Sequence, residues 1–182
     1  MKNNSALRCL CEGAIMLALA QILSWLKLYE LPQGGSITLA MLPIIFFAVR
    51  WGAKRGFLVS FAFGLLQLLL DGAYAWTWQS MIGDYIVAFG LLGAAGFFKG
   101  TRAALYTGTV AAVLLRFIAH WVTGATVWAE YMPERFFGLT MTSPWFYSAL
   151  YNGSFLAVDA ALCIIVFAII SKPLKPYITG QK

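Results

Sequence analysis

The chain has 182 residues, of which 61% are hydrophobic and only 11% are charged. So few charged side chains exclude an ordinary soluble domain and indicate a single transmembrane domain, residues 1–182, embedded in the lipid bilayer. The formal net charge of +6 would suit a nucleic-acid partner. However, the basic residues are placed as in a membrane protein, so we expect no nucleic-acid partner.

Six apolar segments are candidates for transmembrane helices, which makes the expected fold class an all-α integral membrane protein. The first is interrupted by Glu12 and runs on beyond any cleavage site, so we interpret it as a retained helix and not a signal peptide. The second is short for a span, and Gly34-Gly35-Ser36 before it indicates an irregular lead-in. The segments lie at about 6–26, 37–49, 56–70, 80–98, 103–127 and 145–170.

The connections between these segments alternate in charge. Basic residues cluster before the first segment and after the second, fourth and sixth, whereas the other connections are mainly acidic. By the positive-inside rule, both termini are then cytoplasmic. The basic clusters are Lys2 and Arg8; Arg50, Lys54 and Arg55; Lys99 and Arg102; and Lys172, Lys175 and Lys182.

The fifth segment carries Arg116 and His120, the only histidine of the chain, within its apolar run. The two residues are four apart, so they share one face of a helix. A charge at this depth costs about 2.5 kcal/mol or more and usually faces a bundle interior or a water-filled cavity. Two readings stay open at this point: a polar binding cavity, or a structural arginine with a histidine near the membrane interface.

Depth along the helices brings polar residues of three segments into one layer. With a rise of about 1.5 Å per residue, Asp84 lies roughly 6 Å below the outer edge, and Tyr147 and Asn152 lie roughly 3 and 10 Å below it. His120 lies roughly 25 Å from the inner end of its helix, and Arg116 is one turn deeper. Because the layers coincide, the sequence predicts an outward-facing site with Arg116 as its floor.

The residue types of this layer suit a flat, cationic, nitrogen-rich solute. Asp84 can neutralise a cation or accept from an amine, and aromatic faces can stack on a charged ring. His120 and Asn152 can meet ring nitrogens as donor or acceptor. Arg116 could pair with Asp84 or meet a hydroxyl or phosphate end of the solute. Tryptophan and tyrosine are also more frequent near the outer helix ends than near the inner ends, which supports an aromatic-lined outer site.

Two other acidic residues in apolar segments lie outside this layer. Glu12 is near the inner end of the first segment, and Asp159 is in the inner half of the sixth. We expect structural roles for both, through pairing with basic residues or by snorkelling inward.

At these residues the chain resembles a known family over essentially its whole length. It is similar to the thiamine-specific substrate-binding subunits, or S components, of energy-coupling factor transporters (ThiT/YuaJ type). Each motif is weak alone, but six in order are fairly specific. They are GGSITLAMLPI at 34–44, GAYAW at 72–76, DYIVAF at 84–89, RFIAHWVTG at 116–124, VWAEY at 127–131 and YSALYNGSF at 147–155.

The resemblance implies a multi-pass subunit of a bacterial cell membrane that captures thiamine at the extracellular face. Its expected partners are a transmembrane coupling protein and two cytosolic ATPase subunits, and it carries no phosphate-binding loop of its own. The coupling protein is expected to contact Ala14 and Ala18, small residues one helical turn apart. Ordinary packing within the bundle would explain that common spacing equally well.

The resemblance also implies a set of thiamine contacts. Asp84 would hold the aminopyrimidine, and Trp128 would stack on the thiazolium. This chain departs from some relatives, which carry glutamate at positions 38 and 84, tryptophan at 34 and lysine at 116. The expected thiamine-binding residues are Asp84, Tyr85, His120, Trp128, Tyr147, Asn152, Tyr74, Arg116 and Gly35.

Three alternatives remain beside this function. The chain could serve another small vitamin or a pyrimidine precursor, or it could be a structural membrane protein. An intramembrane enzyme using His120 with Asp84 is the least supported, because no nucleophile motif accompanies the pair. Cys9, Cys11 and Cys163 have no metal-ligand spacing with His120, so we expect no metal site and no cofactor.

Overall fold

The computed structural model describes residues 2–71 and 76–179, and it is mostly α-helical. Tyr74, one of the expected site residues, and Lys182, part of the last basic cluster, lie outside the described residues. The helices are α1 (Lys2–Trp25), α2 (Met41–Trp51), α3 (Ala53–Asp71), α4 (Trp78–Phe98), α5 (Ala103–Thr126), α6 (Pro144–Ile170) and α7 (Lys175–Ile178).

Two small antiparallel hairpins and two 3₁₀ turns occupy the connections. The first hairpin joins α1 to α2 and encloses the 3₁₀ turn Pro32–Gly34. The second joins the 3₁₀ turn Ala129–Tyr131 to α6. The strands are β1 (Tyr29–Glu30), β2 (Ser36–Ile37), β3 (Arg135–Phe136) and β4 (Leu139–Thr140).

Five of the described helices are long and apolar enough to cross a bilayer: α1, α3, α4, α5 and α6. The second predicted segment is helical only from Met41, because residues 36–37 pair as a strand. With 11 residues, α2 is about 16 Å long, well short of the roughly 30 Å hydrocarbon core. The sixth crossing therefore stays a prediction.

Helix α2 forms the centre of the bundle. It packs against α1, α3, α4 and α5, and its residues Met41, Ile44, Ile45 and Ala48 are completely inaccessible to solvent. In contrast, many large apolar side chains on the long helices are exposed, including Leu58 at 72% and Ile169 at 71%. Exposed apolar surface on this scale is what a lipid-facing bundle requires.

Helix α4 is irregular, and this irregularity positions two expected site residues. Met81–Val87 has π-helical hydrogen bonding, and Leu91–Phe98 is 3₁₀. The extra residue of a π-turn changes the direction in which Asp84 and Tyr85 project, and such turns are frequent at functional sites.

Glycine allows α3 and α4 to approach closely. A Cβ atom on Gly64 would lie 2.6 Å from the carbonyl oxygen of Tyr85, and one on Gly93 would lie 2.4 Å from the backbone nitrogen of Phe57. Any side chain at these positions would force the helices apart.

The two acidic residues outside the expected layer have different partners. Glu12 accepts from Arg8 Nε at 2.8 Å, from Arg50 Nε at 2.6 Å and from Trp51 Nε1 at 2.8 Å, which confirms its predicted pairing with basic residues. Asp159 interacts electrostatically with the basic residue Arg116, as expected, although the two side chains make no ion-pair contact within 4.0 Å. Its Oδ1 accepts from the backbone N–H of Thr38 at 2.9 Å, and the residue is 1% exposed, so it does not snorkel.

Candidate functional site

A cavity of about 340 Å³ lies at the end of the bundle where α1 and α3 finish and where α4 and α6 begin. Helix α5 also lines the cavity, and the hairpin of β1 and β2 covers it. Its volume lies in the range of small-molecule sites, about 300–1,000 Å³. Polar and aromatic side chains share the lining, so the cavity can surround a ligand that is flat and polar.

Eight of the nine expected ligand residues line this one cavity, and the ninth, Tyr74, lies outside the described residues. The structure thus brings together residues of α4, α5 and α6, as the depth argument required, and adds Gly35 of the first hairpin and Trp128, which follows α5. Their contact with thiamine stays a prediction. The eight are Gly35, Asp84, Tyr85, Arg116, His120, Trp128, Tyr147 and Asn152.

A hydrogen-bonded chain crosses the cavity wall and ends on Asp84. His120 Nδ1 lies 2.8 Å from Asp84 Oδ1, and Trp128 Nε1 donates to Asp84 Oδ2 at 2.9 Å. Arg116 Nε donates to His120 Nε2 at 3.3 Å. Because arginine has only donors, Nε2 must accept, so the proton of the neutral imidazole is on Nδ1 and is donated to Asp84.

These hydrogen bonds show that Arg116 and Asp84 are linked indirectly. The sequence allowed a direct ion pair, but no side-chain nitrogen of Arg116 lies within 4.0 Å of an Asp84 oxygen; His120 bridges the two instead. The guanidinium lies over the ring of Phe89, 4.2 Å from its centroid, and the residue is 7% exposed. Arg116 is therefore a buried cation that stabilises the floor through Phe89 and orients His120.

The face of α6 toward the cavity is aromatic. Tyr147, Tyr151 and Phe155 are spaced by four residues, and neighbouring ring centroids are 5.7 and 5.9 Å apart. Tyr147 Oη donates to Gln33 Oε1 at 2.6 Å, and Tyr151 Oη donates to the carbonyl of Pro32. The tyrosines thereby attach the first hairpin to α6 and close one side of the cavity.

Gly35 allows that attachment. Its backbone N–H donates to Tyr151 Oη at 2.9 Å, and a Cβ atom at this position would lie 2.8 Å from the same oxygen. Gln33, two residues before Gly35, adopts a left-handed conformation with φ of 74°. Its side chain accepts from Tyr147 and donates, through Nε2, to the carbonyl of Tyr131 at 2.9 Å.

The amide nitrogen of Asn152 is used in hydrogen bonds within the protein. Its Nδ2 donates to the carbonyl of Ser148 at 2.9 Å and to the carbonyl of His120 at 3.3 Å. Carbonyl oxygens only accept, so these contacts identify Nδ2 as the donor atom and leave Oδ1 to face a ligand. The expectation that Asn152 and His120 can act in either sense is corrected: Asn152 offers an acceptor, and both ring nitrogens of His120 are already bonded.

Several cavity residues were not predicted as ligand contacts. For Tyr151 and Phe155, the four-residue spacing from Tyr147 is a signal that the sequence contains. For Gln67, the signal is a polar side chain within an apolar span. For Gln33 the sequence has no signal, because only the fold brings it to Tyr147, 114 residues away.

Comparison with known proteins gives consistent likenesses. A family model described as "Thiamine transporter protein (Thia_YuaJ)" matches residues 10–178. The Thiamine transporter ThiT of Bacillus subtilis (strain 168) is 32% identical over 185 residues, covering 93% of each chain. The Thiamine transporter ThiT of Lacticaseibacillus paracasei is 23% identical, covering 93% of this chain and 90% of the relative.

A solved structure shares the fold. The structure of ThiT from Listeria monocytogenes superposes with a TM-score of 0.83 at 24% sequence identity. The match covers 96% of this chain and 98% of that protein. The helical bundle described above is therefore an architecture that is already known in a solved protein.

Proposed function

The chain belongs to the thiamine transporter family, and we propose that it is the substrate-binding S component of an energy-coupling factor transporter. It is a multi-pass protein of the bacterial cell membrane, and its function is transport, not catalysis. In the proposed role it captures thiamine at the extracellular face for uptake. The observation that carries the proposal is the cavity in which Asp84, held by His120 and Trp128, lies among aromatic rings.

The chemistry of the cavity supports thiamine as the ligand. Thiamine joins a cationic thiazolium ring to an aminopyrimidine that carries donors and acceptors. The carboxylate of Asp84 offsets the ring charge and accepts from the exocyclic amine, while Asn152 Oδ1 offers a second acceptor. Trp128 stacks on the thiazolium, a cation–π contact of about 0.5–2 kcal/mol.

The same proposal assigns the remaining predicted ligand residues. Tyr85 and Tyr147 pack against the rings, and Arg116 orients His120 from the cavity floor. Gly35 holds the hairpin over the ligand through Tyr151. Tyr74, outside the described residues, is proposed as a further tyrosine of the wall.

We propose six membrane crossings, with α2 as the short second crossing and both termini in the cytoplasm. The cavity lies at the end of the bundle where α4 begins, whereas Lys99 and Arg102 lie at its other end, next to Arg50 and Arg55 at the junction of α2 and α3. The positive-inside rule then places the cavity outside. A reporter fused to the C-terminus tests this, and an extracellular signal would refute both the topology and the outward-facing site.

The proposed partners are a transmembrane coupling protein and two cytosolic ATPase subunits. Ala14 and Ala18 support a partner surface on α1, because both side chains are exposed and lie one turn apart. They lie about 9 Å or more along α1 from Ser24, which lines the cavity. Binding of the ligand and binding of the partner are thus proposed to use separate parts of the helix.

Calorimetry on the purified, ligand-free protein tests the function directly. Thiamine, thiamine phosphates, riboflavin and the free aminopyrimidine are titrated in parallel. Saturable binding of thiamine, with riboflavin silent, is the expected result. Binding of the pyrimidine as tightly as thiamine would instead identify a precursor as the substrate, and absence of thiamine binding would reject the proposal.

A further inference from the structure

A second polar cluster lies where α1 meets α3, at the wall of the cavity. It consists of Gln21, Ser24 and Gln67, which are 5%, 4% and 6% exposed. Ser24 and Gln67 line the cavity, whereas Gln21 does not. Three buried polar side chains between two lipid-spanning helices need mutual hydrogen bonds, because lipid offers none.

The hydrogen bonds of this cluster determine how the two amides are oriented. Ser24 Oγ donates its only proton to the carbonyl of Gln21 at 2.8 Å. Ser24 Oγ can therefore only accept from the amides, and it receives Gln21 Nε2 at 3.1 Å and Gln67 Nε2 at 2.9 Å. Gln67 Nε2 gives its second proton to Gln21 Oε1 at 2.9 Å. Both N–H groups of Gln67 are thus used within the cluster.

The carbonyl oxygen of Gln67 is left over by this arrangement. Among the residues that the structure describes, none donates to Gln67 Oε1, although the side chain is more than nine-tenths buried. Unlike Ser60 Oγ and Arg102 Nε, which are inaccessible and have no partner in the described part of the chain, Gln67 Oε1 keeps accessible surface towards the cavity, where water or a ligand group can donate to it. Because Gln67 lines the cavity, a donor on a bound ligand can reach that oxygen.

The charge at this end of the cavity indicates what kind of group fits. Asp71 lies one turn beyond Gln67 on the same face of α3 and also lines the cavity, as does Glu30. Lys27, the basic residue of this end, is paired with Glu30 at 3.0 Å. Acceptors and negative charge therefore prevail here, which favours an N–H or O–H donor and disfavours an anionic substituent.

We propose that Gln67 is a specificity-determining residue whose oriented Oε1 accepts a hydrogen bond from an N–H or O–H group of the bound ligand. The inference rests on the proposed function, since it assumes that thiamine occupies the cavity. Thiamine has two such groups: the exocyclic amine of its pyrimidine and the hydroxyl of its hydroxyethyl arm. In this role Gln21 and Ser24 are positioning residues, because they hold the amide but do not themselves meet the ligand through it.

The test combines two protein variants with two ligand analogues. Gln67→Met removes the acceptor at similar volume, and Gln21→Met is the matched control that weakens the cluster without removing a cavity residue. One analogue replaces the hydroxyl of thiamine by chlorine, and the other replaces the exocyclic amine by a carbonyl oxygen. Affinities for thiamine and both analogues are measured by calorimetry, and the melting temperature of each ligand-free protein is measured alongside.

The expected result is selective. The analogue without the group that Gln67 contacts binds the wild-type protein about 10- to 100-fold more weakly than thiamine, and this penalty disappears in Gln67→Met. The penalty of the other analogue stays as in the wild type. The analogue whose penalty disappears identifies whether Gln67 contacts the amine or the hydroxyl. Gln21→Met lowers the melting temperature but keeps both penalties.

Two results would overturn the inference. Both penalties could persist in full in Gln67→Met, or Gln21→Met could erase the same penalty to the same extent, which would leave a purely structural cluster. If Gln67→Met does not fold, Gln67→Asn replaces it, because asparagine keeps the amide but withdraws the carbonyl by one methylene. A wild-type protein that does not bind thiamine would reject the proposed function, whereas normal thiamine binding with unchanged penalties would reject the role of Gln67 alone.

Discussion

Replacing Asp84 with asparagine separates ligand binding from the internal structure of the site. In the ligand-free protein Asp84 accepts two hydrogen bonds, one on each oxygen, from His120 and Trp128. Asparagine has one acceptor oxygen and one NH₂ group, so one of these two N–H donors loses its partner. Leaving a buried donor unsatisfied costs about 1–3 kcal/mol, which we expect as a moderate fall in melting temperature.

The loss in ligand affinity is expected to be larger than this structural cost. The substitution removes the carboxylate that would offset the thiazolium charge and accept from the aminopyrimidine. Truncating one partner of a desolvated charged contact costs about 2–5 kcal/mol, or some 30- to several-thousand-fold in Kd. The charge of Asp159 still offsets that of Arg116, so the substitution does not leave this buried cation without a counter-charge.

Calorimetry with thiamine and thermal unfolding without ligand are measured on the same preparation of Asp84→Asn. Trp128→Phe serves as the control for the lost hydrogen bond, since it removes the donor to Asp84 Oδ2 and keeps both the carboxylate and an aromatic face. We expect Trp128→Phe to weaken binding much less than Asp84→Asn does. Unchanged affinity in Asp84→Asn, together with a large fall in melting temperature, would refute the anchor role and leave Asp84 as a structural acceptor.

Three further predictions concern the bundle. Replacing both Ala14 and Ala18 with tryptophan should change thiamine affinity by no more than a few-fold but abolish uptake in cells. The control makes the same replacement at Ile15 and Leu19, which are equally spaced and exposed on α1, and should retain uptake. Loss of thiamine binding in the Ala14→Trp, Ala18→Trp variant would show that these residues support the fold. Gly93→Ala should lower the free energy of unfolding by about 1–3 kcal/mol, and with it the melting temperature, because the added Cβ overpacks against Phe57. Gly153→Ala, whose Cβ would lie 3.7 Å from Phe117, should be neutral or stabilising. Equal effects of the two substitutions would contradict the close α3–α4 contact. Glu12→Gln should destabilise the protein by about 3–5 kcal/mol, because the side chain of Arg50 is only 7% exposed and loses its counter-charge. Arg8→Gln, which removes the exposed partner of Glu12, should cost about 1 kcal/mol or less. A larger cost for Arg8→Gln than for Glu12→Gln would contradict the view that Arg50 is the main partner of Glu12.

Hydropathy and charge in the sequence determined which segments form the long membrane helices and at what depth their polar residues lie. Lipid requires long apolar helices with internally satisfied backbones, so the spans could be read directly, and five of the six were found with ends within about four residues of the prediction. The second segment differs because its first residues form β2, a pairing with β1 that hydropathy does not encode. The constant rise of a helix also placed Asp84, His120 and Asn152 at one depth, and they do line one cavity.

Only the tertiary structure decided what each polar atom does. The tautomer of His120 follows from Arg116 on one side and Asp84 on the other, and the acceptor role of Asn152 follows from carbonyls on α5 and α6. Asp159 bonds to a backbone N–H that is 121 residues away in sequence. Hydrogen bonds of this kind depend on distances of tenths of an ångström between distant segments, and residue type and spacing along the chain do not contain that information.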